Sequence, residues 1–219
     1  MEELLHPLVT GAASLGITLT DQQEHLFSAF LEELLLWNRR INLIAEASPS
    51  EIVVGHFLDS LTLASFIVRK DGSLLDIGTG AGLPGIPLKI AIPAIRVYLL
   101  EASRKKTSFL KHVIRRLPLE GATVIHRRVE QTLQEEMYRS RFDTVVSRAA
   151  LKMPDLAALA GYYLAQRGVL IAMKGAHIEG EIEDASPIAA SAGLLPAKSH
   201  LLALPFTGSP RKIVVYRKS

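Results

Sequence analysis

The feature that most constrains the fold of this chain is a short apolar run that ends in a glycine-rich turn. Residues 74–77 have the pattern of a buried strand, and Gly78, Gly80 and Gly82 follow at alternate positions. A second apolar run, 97–100, ends at Glu101, nineteen residues after the last of these glycines. Glycine lets a ligand approach the backbone, and a carboxylate about 20 residues further on can accept hydrogen bonds from ribose hydroxyls. The pattern therefore predicts a site for a ligand that contains a nucleoside.

The glycine spacing and a neighbouring carboxylate indicate which nucleoside ligand is favoured. Dinucleotide sites usually have the spacing G-x-G-x-x-G, which brings a helix N-terminus to the pyrophosphate, whereas this chain has G-x-G-x-G. Asp76 precedes the first glycine by two residues, and a carboxylate there would repel a pyrophosphate and attract a cation. S-adenosylmethionine is cationic and has no phosphate, so the pattern favours it. NAD is the alternative ligand, and a turn required only by chain geometry is the alternative without a ligand.

Composition limits the class of protein. With 219 residues the chain can form one α/β domain with an appendage, and 48% hydrophobic and 21% charged residues are ordinary values for a globular protein and do not indicate disorder. The absence of cysteine excludes disulfides, thiolate nucleophiles and cysteine-ligated metals, and the seven histidines show no metal-ligand spacing, so we expect no metal. No apolar run approaches the roughly 18 residues of a membrane span, and no secretory signal is present. We therefore expect a cytoplasmic protein without a membrane partner.

Charge is unevenly distributed along the chain. Residues 1–70 contain four basic and nine acidic side chains, whereas the remaining residues contain 21 basic and 13 acidic ones. The basic excess therefore belongs to the part that carries the glycine turn. Such an asymmetry suits a polyanionic partner such as RNA, although a solvated basic face would have the same composition.

The two parts also differ in hydrophobic periodicity. Residues 1–70 predict a helical extension, with one helix that starts at Thr20 or Asp21 and a second over about 49–68. Residues 71–219 predict a second domain in which short apolar runs alternate with amphipathic stretches, which is typical of a mostly parallel sheet. The last two runs predict an antiparallel pair. The seven runs are residues 74–77, 97–100, 122–125, 144–146, 169–172, 201–204 and 213–216.

This order of elements is the one expected of the seven-stranded sheet of a class I, Rossmann-like methyltransferase. In such α/β sheets the ligand lies at the carboxyl ends of the strands, near the point where the strand order reverses. The rule predicts that four distant segments meet in one cleft, with Lys174-Gly175 at its rim. The four segments are the 78–82 turn, Glu101, Val129-Glu130 and Ser147-Arg148.

Several motifs occur together along the chain. They are Trp37-Asn38, Asn42-Leu43, His56-Phe-Leu-Asp-Ser-Leu61, Asp76-Ile-Gly-Thr-Gly-Ala-Gly-Leu-Pro-Gly-Ile-Pro87, Arg128-Val-Glu130, Phe142-Asp143, Ser147-Arg-Ala149 and Lys174-Gly175. Together they resemble one family, the bacterial small-subunit (16S) ribosomal RNA guanine-N(7) methyltransferase G family, also called glucose-inhibited division protein B. The similarity extends from about residue 20 to the end, and the two prolines and extra glycine after the turn are its most specific element.

The resemblance implies a monomeric cytoplasmic enzyme that transfers a methyl group from S-adenosylmethionine to N(7) of a guanine in 16S rRNA and releases S-adenosylhomocysteine. It implies a donor site formed by Gly78, Leu83, Glu101, Ala102, Ser103, Val129, Glu130 and Arg148. The chain departs from the family pattern at Ile44, where many members have threonine, and at Ala150, where many have an aromatic residue. The second departure removes an expected stacking contact.

The chemistry implied for guanine N(7) is undemanding. The ring nitrogen has an exposed lone pair, so the enzyme needs alignment of donor and acceptor more than a general base. The chain contains neither the cysteine required for methylation at a pyrimidine carbon nor the Asn/Asp-Pro-Pro-aromatic segment that binds an exocyclic amine. Arg148 is our candidate for positioning the acceptor, and a structural pairing of Arg148 with Glu130 or Asp155 is the alternative.

Basic residues near the predicted cleft are candidates for RNA contacts. Arg104 and Lys105 begin a helix, where cations oppose the helix dipole, so an anionic partner such as rRNA phosphate would compensate them. Arg128 and Lys174 extend the same side. His56 and Asp59 lie three residues apart, so they are placed to bond each other or face the cleft, and we favour a structural role for the histidine.

Overall fold

Two long helices begin the chain, whose computed structural model describes residues 2–45, 48–148, 150–175 and 178–219. Helix α1 spans Glu2–Ser14 and α2 spans Asp21–Ile41. Thr20 caps α2, as predicted: its hydroxyl accepts the N–H of Gln23, and Gln23 Oε1 accepts the N–H of Thr20. The apolar face of α2 is buried, with Phe27, Phe30, Leu31 and Leu34 each at most 1% exposed.

The end of α2 is fixed by two asparagines. Asn42 adopts a left-handed conformation with φ of 46°, and Asn38 Oδ1 accepts hydrogen bonds from the N–H groups of Leu43 and Ile44 at 2.6 and 2.9 Å. These bonds satisfy backbone donors just beyond the helix. The Asn-Leu motif therefore ends a helix, and Ile44 contributes a backbone contact.

The predicted helix over 49–68 is present only in part. It consists of α3 (Pro49–Ile52), a π-helical segment (Val53–Leu58) and α4 (Asp59–Leu61), followed by a short 3₁₀ turn (Ala64–Phe66). The wider π turn places Phe57 against Phe30 of α2, with ring centroids 5.0 Å apart, and directs Asp59 toward the sheet. Tertiary packing of this kind overrides a local helical pattern, and π turns are frequent at functional sites.

Seven strands form one sheet in the order β3-β2-β1-β4-β5-β7-β6. The predicted fold class, a mostly parallel seven-stranded sheet with an antiparallel C-terminal hairpin, is confirmed. The strands are β1 (Ser73–Ile77), β2 (Arg96–Glu101), β3 (Ala122–His126), β4 (Phe142–Arg148), β5 (Leu164–Lys174), β6 (Lys198–Ala203) and β7 (Pro210–Arg217).

Helices connect the parallel strands and cover both faces of the sheet. These helices are α5 (Gly85–Ala91), α6 (Arg104–Arg116), α7 (Val129–Thr132), α8 (Met153–Tyr163) and α9 (Glu179–Ser191), with a 3₁₀ turn at Glu136–Tyr138. On one face of the sheet, an apolar layer joins the N-terminal helices, α5 and α6 to strand side chains such as Leu74 and Val97. On the other face, a second layer joins α8 and α9 to strand side chains such as Leu75 and Leu170.

The strand order reverses between β1 and β4. Strand β1 pairs in parallel with β2 on one side and with β4 on the other, so the carboxyl ends of β1 to β5 lie at one edge. Strand β7 is antiparallel to β5, and Lys212 is paired with Lys174. Arg211, near the start of β7, therefore lies at the same edge as the ends of the parallel strands.

Candidate active site

The glycine turn after β1 is folded back onto β2. The N–H groups of Gly78 and Thr79 both donate to the carbonyl of Leu100, at 3.0 and 3.2 Å. Gly78 has a φ of +69°, and a Cβ atom added there would lie 2.8 Å from Cβ of Ala150. A side chain would thus close the narrow gap between the turn and the segment after β4.

The other two glycines of the turn have different surroundings. A Cβ on Gly82 would lie 2.3 Å from Cδ1 of Ile86, so this glycine is required for close packing of α5. At Gly80 the nearest atom to an added Cβ is 3.9 Å away. Leu83 is 4% exposed and belongs to the apolar core. Gly82 and Leu83 therefore maintain the packing of the turn, whereas Gly78 borders the gap to the segment after β4.

Asp76 is enclosed beneath the turn with no exposed surface. Its Oδ2 accepts hydrogen bonds from the Thr79 hydroxyl at 2.6 Å and the Gly85 N–H at 2.8 Å. Burial raises the pKa of this carboxyl to about 6, although these bonds and the charge of Arg148 oppose the rise. The described part of the chain supplies no partner for Oδ1. The structure thus buries Asp76 and bonds it to the glycine turn, and its part in binding a cationic ligand stays a prediction.

Glu101 lies at the tip of β2, where the sequence places it. Its Oε2 accepts the N–H of Gly80 at 3.0 Å, and its Oε1 accepts the N–H of Ser103 at 2.7 Å. Ser103 caps α6, while Ala102 is exposed. Because a carboxylate has about four lone-pair directions, these two bonds leave acceptor capacity for a ligand.

A cleft of about 280 Å³ opens at the carboxyl ends of β1, β2 and β3. Five residues of the predicted donor site line it: Gly78, Glu101, Ala102, Val129 and Glu130. Sequence reasoning did not assign Ile77, Leu100, Arg127, Ala150 and Leu151, which line it as well. Ile77 and Leu100 could have been found, because each is the last apolar residue before a predicted ligand-binding segment.

Arg148 ends β4 beside this cleft and belongs to a cluster of four side chains. Its guanidinium donates to Nδ1 of His56 at 3.1 Å and lies 3.8 Å from Oδ2 of Asp59, whose Oδ1 accepts a 2.8 Å bond from Nε of Arg211. Burial, together with the charge of Arg148, lowers the pKa of His56 to about 4, so the imidazole is neutral. The alternative partners predicted for Arg148, Glu130 and Asp155, are wrong. Ala149 of the same motif lies outside the described residues.

The predicted RNA-contacting residues occupy two kinds of environment. Arg104, Lys105 and Arg128 are exposed, and in the described ranges none of them forms an ion pair. The Lys174 side chain is only 9% exposed, and its ammonium bonds the carbonyl of Leu151 and lies 3.1 Å from Glu181. The position of Lys174 does not support a contact with RNA, because its ammonium group is already bonded to other groups of the protein.

Within the described ranges, which exclude His177, no three His, Asp or Glu side chains are grouped to hold a metal ion. None of the helices described there is long and apolar enough to cross a membrane.

Solved structures with this fold include two methyltransferases with low sequence identity. The O-methyltransferase from Bacillus cereus in complex with SAH aligns with a TM-score of 0.62 and 22% identity, over 87% of this chain and 91% of that one. Magnesium protoporphyrin IX methyltransferase from Synechocystis PCC 6803 with bound SAM has a TM-score of 0.59 and 19% identity, over 91% and 98%. These similarities show the fold.

Sequence comparison identifies the family. The chain is 49% identical to a Ribosomal RNA small subunit methyltransferase G from Syntrophus aciditrophicus, over 95% of this chain and 87% of that protein. It is 39% identical to the protein of that name from Dehalococcoides mccartyi, over 98% and 91%. The family model GidB, described as rRNA small subunit methyltransferase G, matches residues 23–202. The chain therefore belongs to the rRNA small subunit methyltransferase G family.

Proposed function

We propose that this protein transfers the methyl group of S-adenosylmethionine to N(7) of a guanine in 16S rRNA. The observation that carries the proposal is a cleft bordered by Gly78 and Glu101 at the carboxyl edge of the sheet, in a chain of this family. The relatives' names support small-subunit rRNA as the substrate. The choice of N(7) is what the family resemblance implies, and the chemistry argued above agrees with it.

The residues of the cleft fit the donor. Gly78 forms a narrow gap that a Cβ would fill, and Glu101 presents a carboxylate placed to accept ribose hydroxyls. Ile77, Leu100 and Val129 supply apolar surface for an adenine ring. When bound, S-adenosylmethionine supplies an electrophilic methyl group on a cationic sulfur.

The acceptor half of the site lies over β4. The donor cleft covers the ends of β1, β2 and β3, so the guanine is expected on the other side of the strand-order reversal, beside Arg148. Arg148 is 19% exposed and keeps N–H groups available for the base or its phosphate. Alignment of donor and acceptor can lower the barrier by about 7–11 kcal/mol without a general base.

Arg104, Lys105 and Arg128 are the proposed contacts with rRNA phosphates. Arg128 lines the cleft, and Arg104 follows Glu101 by three positions at the start of α6. We further propose that the enzyme is a cytoplasmic monomer and that its helical extension (1–70) and methyltransferase domain (71–219) form one unit.

The test is a nucleoside analysis of 16S rRNA from cells that lack the gene. Mass spectrometry is expected to show the loss of one 7-methylguanosine, and the purified protein with S-adenosylmethionine is expected to restore it on small subunits from those cells. An unchanged 7-methylguanosine content would refute the proposed acceptor atom, even though the family assignment would stand.

A further inference from the structure

Among the residues that the structure describes, Asp59 is the one side chain of the N-terminal helices that pairs with both Arg148 and Arg211 at the carboxyl edge of the sheet. Its carboxylate bonds Arg211 at 2.8 Å and lies 3.8 Å from Arg148. The three residues come from α4, β7 and β4. Asp59 is 4% exposed, so the carboxylate has little contact with water and depends on these arginines for its partners.

The local structure holds Asp59 in this orientation. It directly follows the π-helical segment Val53–Leu58, and the Thr62 hydroxyl donates to its carbonyl at 2.6 Å. His56, in the same segment, accepts a hydrogen bond from Arg148 through Nδ1. Arg148 is thus held from two sides by one short stretch of the N-terminal region.

The Asp59 carboxylate affects the charge around the acceptor during methyl transfer. During transfer the methyl group breaks its bond to sulfur and forms a bond to N(7), so the positive charge moves from sulfur to guanine. An uncompensated guanidinium beside the guanine would oppose the charge that the base gains. A carboxylate that touches both guanidinium groups reduces this opposition and leaves their other N–H donors free.

We propose that Asp59 is a positioning residue of the methyl-transfer site, which fixes Arg148 and Arg211 as a pair and offsets their charge while the acceptor becomes cationic. This inference rests on the proposed function, since it requires a guanine beside Arg148. It assigns to the N-terminal helical region a part in the acceptor site.

The experiment compares Asp59→Asn, Asp59→Glu, Arg148→Gln and the Asp59→Asn/Arg148→Gln double variant of the full chain. The substrate is the small ribosomal subunit from cells that lack the gene, with S-adenosylmethionine at saturation. Single-turnover rate, KM for the subunit, calorimetric affinity for S-adenosylhomocysteine and melting temperature are measured for each protein. The wild-type protein is assayed first, so that a failure of the proposed function appears before any variant is judged.

Gln23→Ala is the matched control for stability. Gln23 also links the N-terminal helices to the rest of the protein, through hydrogen bonds from Nε2 to the carbonyls of Ile90 and Ala91 at 2.8 and 3.2 Å. It is 9% exposed and lies away from the cleft. We expect Gln23→Ala to lower the melting temperature and leave the transfer rate unchanged.

Asp59→Asn is expected to slow single-turnover transfer by about tenfold or more, with a KM for the subunit that is unchanged or lower, because the site becomes more positive. Asp59→Glu is expected to recover part of the rate. The double variant is expected to lose less rate than the product of the two single losses, because Asp59 acts in part through Arg148 and in part through Arg211. The proposal is overturned if Asp59→Asn keeps the wild-type rate, if KM rises together with the loss of rate, or if the two single losses multiply in the double variant.

Discussion

The backbone N–H of Gly80 donates a 3.0 Å hydrogen bond to Oε2 of Glu101, which ties the turn after β1 to the end of β2. The glycine turn and the acidic residue that follows it are thus one physical unit, because the carboxylate that is expected to bind ribose also braces the turn. The proposed donor half of the site is therefore already organised by contacts within the protein, which is expected to lower the entropy lost on binding.

Gly78→Asp is expected to abolish binding of S-adenosylhomocysteine in calorimetry while circular dichroism shows an intact fold. The new side chain would enter the gap where an added Cβ already lies 2.8 Å from Ala150. Gly16→Asp is the control, since Gly16 also has a positive φ, of +77°, but an added Cβ meets no atom within 4 Å. Both variants are expected to lose about 1 kcal/mol of stability from backbone strain. Equal affinity in the two variants would remove Gly78 from the donor site.

Glu101→Gln is expected to weaken S-adenosylhomocysteine binding roughly tenfold to hundredfold, the usual cost of losing a hydrogen bond to a charged group. Calorimetry at neutral pH measures the change. The exposed Glu136, which pairs with Arg139 at 3.1 Å, provides the control substitution Glu136→Gln. Affinity that survives in Glu101→Gln would show that this carboxylate only braces the turn.

Asp76 is expected to make stability depend on pH. Burial raises its folded-state pKa from the ordinary 3.8 to about 6, so the native state holds this proton more tightly than the unfolded chain does. The protonated carboxyl therefore adds about 3 kcal/mol to the free energy of unfolding. This stabilisation is fully present below pH 3.8 and is lost as the pH rises through about 6. Urea unfolding of wild type and Asp76→Asn at several pH values measures it. If the difference in free energy of unfolding between the two proteins stayed constant from about pH 4 to about pH 7, the raised pKa of Asp76 would be contradicted.

Arg104→Gln/Lys105→Gln is expected to raise the KM for the small subunit and to reduce the slope of log affinity against log salt by about 1.5. Each phosphate contact that is lost reduces the number of counterions released on binding. The loss of affinity for the subunit is therefore largest at low salt. Lys70→Gln/Lys198→Gln is the control, because these exposed cations lie before β1 and at the start of β6, at the edge opposite the cleft. The proposed RNA surface fails if both pairs change the slope equally.

Much of the fold could be predicted because its signals are local. A strand, a glycine turn and a helical stripe each appear within a few consecutive residues, and the chain order of the runs then limits the possible topologies. The seven strands and the cap of α2 at Thr20 were found in this way. The π-helical segment was missed, because Phe57 and Asp59 require partners in different parts of the molecule.

The sequence by itself determined that a glycine turn and Glu101 would meet, since both follow strands whose carboxyl ends share one edge. Only the tertiary structure decided how the charges pair. Asp59 and Arg211 are 152 positions apart, yet they bond at 2.8 Å, and the ammonium of Lys174, which the sequence predicted to contact RNA, lies 3.1 Å from Glu181. Burial and ion pairing depend on which helices cover which strand ends, and this packing is a property of the whole chain that no short motif contains.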